Sequence, residues 1–252
     1  MTPWAALAIF VAGLAAGTIN VIVGSGSLIT FPTLLALGYP PVLANVSNNV
    51  GLVPGSASAV VAYRRELVGQ RSRVVQLGAA SMTGALTGAV LLLALPSSVF
   101  KAAIPALVLL AAVLMAIQPR VSTWLAARGE RNVHGGAPLL VGVFLTGIYG
   151  GYFGAAQGVI LISLLAIFID DDLQRLNGTK NSLALIVNGV AAIVFIVSTN
   201  VSWSVVALIA VGSTIGGQLG GHYGRRLPAK VLRVCIVVVG VGVAVVLAVE
   251  WH

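Results

Sequence analysis

The chain has 252 residues, of which 58% are hydrophobic and only 8% charged, and it carries a formal net charge of +8. Soluble domains draw about a quarter of their residues from Asp, Glu, Lys and Arg, so this composition excludes an ordinary soluble fold and indicates a polytopic membrane protein. Most of the 14 Lys and Arg residues fall in a few short loops between apolar segments or at their ends, a pattern that fits membrane orientation and argues against nucleic acid as a partner.

The apolar runs are continuous rather than alternating, which predicts helices and not barrel strands. The first, "MTPWAALAIFVAGLAAG", has no Lys or Arg ahead of it and runs too long for a signal peptide, so it reads as an uncleaved membrane segment. In the first half the long segments are roughly Trp4 to Val23, Val42 to Tyr63, Val74 to Leu95 and Phe100 to Gln118. A short one, Ser27 to Leu37, has about eleven residues and rises only about 17 Å, too little to cross a bilayer unaided. The second half repeats the series with Pro138 to Gln157, short Val159 to Ile169, Leu176 to Val197, Ser204 to Tyr223 and Ala229 to Val249. The organisation expected is a first repeat over 1–119, a basic linker over 120–137 and a second repeat over 138–252, forming one membrane domain.

The duplication is visible residue by residue. Gly13, Gly17 and Gly24 match Gly147, Gly151 and Gly158 at an offset of 134, and Leu43 and Asn48 match Leu176 and Asn181 at 133. At 132, Gly84, Gly88, Leu95, Pro96, Val99 and Lys101 match Gly216, Gly220, Leu227, Pro228, Val231 and Arg233. The charges of matching loops are opposite in placement. The loop with Arg64, Arg65, Arg71 and Arg73 matches the neutral "STNVSW", while the neutral "PSSVF" matches the stretch with Arg225, Arg226, Lys230 and Arg233. Basic loops stay in the cytoplasm. The halves are therefore expected to be inverted, with loops 64–73, 120–134 and 225–233 cytoplasmic. Inversion requires an odd number of crossings per half, so each short segment must be a re-entrant hairpin arm or a broken crossing. The fold class expected is an all-α polytopic membrane protein of two inverted-topology repeats, each with long transmembrane helices plus one short broken or re-entrant helix.

Paired breaks at corresponding positions of inverted halves point to a transporter's binding site. Non-helical backbone at membrane depth is tolerated only when it is buried in protein or lines a cavity. The breaks here are "GSGS", Gly24, Ser25, Gly26 and Ser27, and "AAQG", which holds Gln157 and Gly158. A helix start presents free amide N–H groups and partial positive charge, so two of them can converge on one anion. The other reading of small residues is close helix packing, and it is preferred for Gly13, Gly17, Gly84, Gly88, Gly216 and Gly220. Asn45, Asn48, Asn49 and Ser56 share one helix face, as do Asn177, Lys180, Asn181 and Asn188. Of these, Asn48, Asn49, Lys180 and Asn181 are candidates to orient and neutralise the anion, against the alternatives of interhelical amide bonding and a snorkelling lysine. Asp170 to Asp172 with Arg175 read as solvated loop charge, or as a gate or a site of proton uptake. Cys235 is the only cysteine, and His134, His222 and His252 lack ligand-like spacing, so no cofactor or metal is expected. No carboxylate pair or nucleophile with its base lies in the apolar segments, which argues against an enzyme.

"AGLAAGTINVIVGSGSLITFPTLLALGYPPVLANVSNNVG", together with "TGIYGGYFGAAQGVILISLLAIF", "LNGTKN" and the duplicated "LP" helices, resembles the sulfite exporter TauE/SafE family. The resemblance spans essentially the whole chain. It implies a multi-pass permease of the bacterial or archaeal plasma membrane for sulfite, organosulfonates or related small carboxylates. Partners would then be a small anion and membrane lipid, with room for a homodimer. An anion channel and a purely structural role are the other readings.

Overall fold

The computed structural model describes residues 1–126 and 136–223. These form helices α1 (Pro3–Ile22), α2 (Ser27–Ala36), α3 (Pro41–Ala62), α4 (Arg71–Ala94), α5 (Ser97–Ala126), α6 (Gly136–Tyr152), α7 (Gln157–Phe168), α8 (Leu173–Ser198) and α9 (Trp203–Tyr223), with no strand among the described residues. The predicted last segment from Ala229 to Val249, the basic stretch 225–233, Cys235 and linker residues 127–135 lie outside them. α5 continues past the predicted end at Gln118, so the first part of the predicted linker is helical.

Local chemistry sets the boundaries. Thr2 caps α1, its hydroxyl accepting from the Ala5 N–H at 3.2 Å, and Pro3 occupies the first turn, where a missing donor costs nothing. Pro41 opens α3 in the same way. The Asp172 carboxylate caps α8, accepting from the Gln174 and Arg175 amides at 2.8 and 3.4 Å. Among the described residues five helices are long and apolar enough to cross a membrane: α1, α4, α5 over Ser97–Ile117, α8, and α9 over Trp203–His222. α3 has 22 residues, but Asn45, Ser47, Asn48 and Asn49 lower its hydropathy.

Each short helix folds back along the long helix before it. Gly150 lies against the Gln157 side chain and Gly142 against Leu164, so α7 runs back along α6. In the first half Tyr39, just past α2, reaches Met1 at the start of α1, its hydroxyl 3.9 Å from the sulfur. Each hairpin returns the chain to the end of the molecule from which it set out.

Directions follow from the contacts. Gly13 and Gly17 pack on the backbone of Ile209 and Ser213, so α1 and α9 run parallel; Gly147 and Gly151 pack on Ser81 and Ala85, so α6 and α4 do too. Asn188 bonds Ser56 while Asn177 bonds Tyr63, so α8 runs antiparallel to α3. The glycine stripes are thus close-packing surfaces. Their register differs by one helical turn from the sequence match: Ile209 rather than Ser213 stands where Ser81 stands. The contacts also gather the first basic loop and the end of α9 at one end of the molecule, where Arg64, Arg65, Gly221 and His222 line a shared cleft.

Candidate functional site

The site is built where the two hairpin tips meet. α1 ends at Val23 because Gly24 adopts φ 86°, and α7 starts after Gly154 at φ 78° and Ala156 at φ 60°. Gly24 and Gly158 lie backbone to backbone, the Gly158 N–H donating to the Gly24 carbonyl at 3.0 Å. A Cβ on either glycine would come within 2.5 Å of the other's Cα. Ser25 is 1% exposed and Ala155 and Ala156 are 0% exposed, so the junction is sealed from solvent. Phe31, Phe100 and Phe153 stack edge to face beside it, tying α2 and α5 to the second hairpin.

The two helix starts differ in how their amides are used. At α7 the N–H groups of Gln157, Gly158 and Val159 go to the carbonyls of Gly154, Gly24 and Ala156. At α2 the Gly26 N–H reaches Asn20 Oδ1 at 3.5 Å, whereas the amides of Ser25 and Ser27 find no acceptor among the described residues. The expectation of free amides at both breaks thus meets a difference: the α2 start retains donors, and those of α7 are engaged in closing the junction. The Ser25 hydroxyl has only the Met115 sulfur, at 3.9 Å.

The remaining candidates spread over three neighbourhoods. Asn48 is 1% exposed and belongs to the α2 start, donating to Ser27 Oγ at 3.2 Å and accepting from the Thr30 hydroxyl. Gln157 donates to Asn188 Oδ1 at 3.1 Å, and Asn188 donates to Ser56 Oγ at 3.1 Å, a buried chain that crosses from one half to the other. Asn49, Gln157 and Asn181 each keep one buried side-chain polar atom without a partner among the described residues. Lys180, 1% exposed, does not snorkel: Nζ donates to the carbonyls of Asn20 at 3.3 Å and Val21 at 3.0 Å, in the last turn of α1. Asn177 Nδ2 reaches the same Val21 carbonyl at 3.5 Å. In the other half Asn45 Nδ2 donates to the Tyr152 carbonyl at the end of α6, 3.0 Å away. Each half therefore caps the other's broken helix. These carbonyls lack intrahelical donors, and at membrane depth they need substitutes.

At the end that carries the basic loop, Asp171 pairs with Arg73 at 2.7 Å and Arg175 at 2.9 Å. Buried Gln70 bonds Thr179 at 2.8 Å beside this clasp. Partial burial of Asp171 pushes its carboxyl up, but the hydrogen bonds from Arg73 and the Asp172 amide and the charges of both arginines outweigh this and hold it below the usual carboxylate range. At the opposite end the Ser202 N–H donates to Ser47 Oγ at 3.0 Å, a neutral contact.

The model of the family described as "Sulfite exporter TauE/SafE" matches residues 9–247. The chain belongs to this family. A TauE/SafE chain of this kind has relatives along nearly all of its length: a probable membrane transporter protein, ORF9, of a Sinorhizobium species is 28% identical over 241 residues, covering 94% of this chain and 90% of its own. The probable membrane transporter protein YfcA of Escherichia coli K12 is 24% identical over 245 residues, 97% and 90% of the two chains. One from Haemophilus influenzae is 25% identical over 230 residues, 91% and 89%. No solved structure matches. The protein is thus a multi-pass membrane transporter of the TauE/SafE family.

Among the described residues no group of His, Cys, Asp and Glu could hold a metal ion. What the TauE/SafE junction offers is donors: amides, hydroxyls, carboxamides and one buried ammonium, the set that oxyanion recognition uses. Sequence reasoning missed Asn20 and Thr30. Asn20 was detectable as the one amide in apolar α1, four residues before the break; Thr30 carried no signal beyond standing three residues after Ser27.

Proposed function

We propose that this protein carries a small sulfur-containing anion, sulfite or an organosulfonate, out of the cell by alternating access between two inverted halves of the plasma membrane protein. The observation that carries the reading is the sealed meeting of two hairpin tips at Gly24 and Gly158, beside the unclaimed amides of Ser25 and Ser27. Lys180 supplies positive charge one turn before the break and has no carboxylate within ion-pair distance among the described residues. An ammonium has three donors, and two are used on carbonyls, leaving one for the anion. The opposite directions of matching helices and the exchanged caps support inversion, and the basic residues gathered at one end support a cytoplasmic assignment of that end. Export of an anion from a negative-inside cell gains about 2.3 kcal/mol per charge per 100 mV, so no coupling ion is required for this direction. The family's description favours sulfite, and the relatives' names add only that they are membrane transporters.

The test is uptake and counterflow of sulfite, sulfoacetate, taurine and acetate in proteoliposomes holding the purified protein. Saturable, counterflow-stimulated movement of sulfite or sulfoacetate is expected. If acetate alone moves, the substrate class is carboxylate; if no anion moves faster than in empty liposomes, the transport reading fails.

A further inference from the structure

In transporters with broken helices, the carbonyls freed at the end of a half-helix coordinate the coupling cation. The end of α1 is such a place. Val23 and Gly24 both direct their N–H groups to the Ile19 carbonyl, at 2.8 and 3.2 Å, so the next two carbonyls, of Asn20 and Val21, lack helical donors. The Lys180 ammonium lies on both of them. The partial negative charge of a helix C-terminus favours a cation there, and a cation tethered by its own side chain cannot leave.

We propose that Lys180 takes the place of a dissociable Na+ in the α1 break, so that this transporter works without a bound metal cation. The inference rests on the transport reading for its consequence, Na+-independent anion flux, but the occupancy of the carbonyls is testable without transport. The rest of the geometry agrees. At the end of α6 a terminal carbonyl, that of Tyr152, is also met by a side chain of the opposite half, the neutral amide of Asn45. The Asn177 amide shares Val21 with Lys180, so the cationic donor and a neutral one reach the α1 end together.

The experiment compares thermal midpoints of the purified protein in NaCl, KCl and choline chloride with those of Lys180→Ala and Lys180→Gln. The wild type is expected to melt alike in all three salts. Lys180→Ala is expected to fall by about 4 °C or more, the shift of a lost kcal/mol or two in a chain of this size, and to recover part of that loss in Na+ or ethylammonium but not in choline. Lys180→Gln, which keeps an N–H donor without charge, gives the same reading should the alanine variant not fold. A wild type stabilised by Na+ over choline would overturn the proposal, as would a Lys180→Ala that melts with the wild type or a loss that neither cation restores. Sulfite flux measured in Na+ and in choline then separates the two readings: flux that rises with Na+ sinks the tethered-cation inference alone, and absence of flux in every medium sinks the transport reading while the melting data still decide the other.

Discussion

Replacing Gly158 by alanine puts the meeting of the hairpin tips to a direct test. The new Cβ would lie 2.5 Å from Gly24 Cα, 2.9 Å from its carbonyl oxygen and 3.1 Å from its carbonyl carbon. All three are backbone atoms, so no side chain can rotate away, and the tips must separate. Overpacking of this kind costs about 1–3 kcal/mol. Separation also lengthens the Gly158 N–H bond to Gly24, now 3.0 Å, at about 1 kcal/mol more. A total of about 2–4 kcal/mol corresponds to a midpoint lower by roughly 5–15 °C for a chain of this length. The assay is thermal unfolding of the purified protein in detergent, followed by circular dichroism. Gly189→Ala is the control, since a Cβ there meets nothing within 4 Å in the middle of α8; it is expected to be neutral or to stabilise by about 0.5–1 kcal/mol. Should Gly158→Ala melt with the control, the tips are not in contact and the junction is misplaced.

Ala156 holds a left-handed backbone, φ 60° and ψ 15°, with its side chain fully buried; Ala156→Gly is expected to stabilise by about 1 kcal/mol by relieving that conformation, and a lower midpoint would count against the strain. Asn45→Leu and Asn177→Leu each deprive a broken helix end of a donor, at about 1–3 kcal/mol apiece. Because the two sites lie at opposite breaks, the double variant should be additive within about 0.5 kcal/mol, measured by the same unfolding assay. Asp171→Asn should cost about 0.5–1 kcal/mol for partly exposed pairs. The sign of its pH dependence is fixed by the lowered carboxyl: the wild-type advantage is full above the unfolded value of about 4 and shrinks only as pH falls below it. An advantage that already fades between pH 7 and 5 would refute the assignment.

Helix boundaries are written in residue types: Pro3 and Pro41 start helices and Gly24 stops one, whereas Asp172, read in the sequence as loop charge, caps α8 so that it starts three residues before the expected Leu176. The short lengths of α2 and α7 excluded simple crossings, but an apolar helix carries no mark of the direction in which it returns, so re-entry had to come from contacts such as Gly142 with Leu164. The packing register along α4 and α9 differs by a turn from the sequence match, and glycines recurring every fourth residue at Gly212, Gly216 and Gly220 allow close seating at either turn. At the site, the meeting of Gly24 and Gly158 followed from their matching positions. Lys180 was identifiable as an ionisable residue in a membrane segment, but its partners are backbone carbonyls, which every residue has and no sequence displays.

The exchange of caps has a consequence for how the chain is made. α1 and its hairpin are synthesised more than a hundred residues before the Asn177 and Lys180 side chains that satisfy their end. Until α8 is inserted, the carbonyls of Asn20 and Val21 must stay near the water interface or borrow other donors, because lipid offers none. Final seating of the first hairpin is therefore a late event in biogenesis, and the first half alone is an unfinished piece. Split into two polypeptides, the halves should reach their final structure only when produced together.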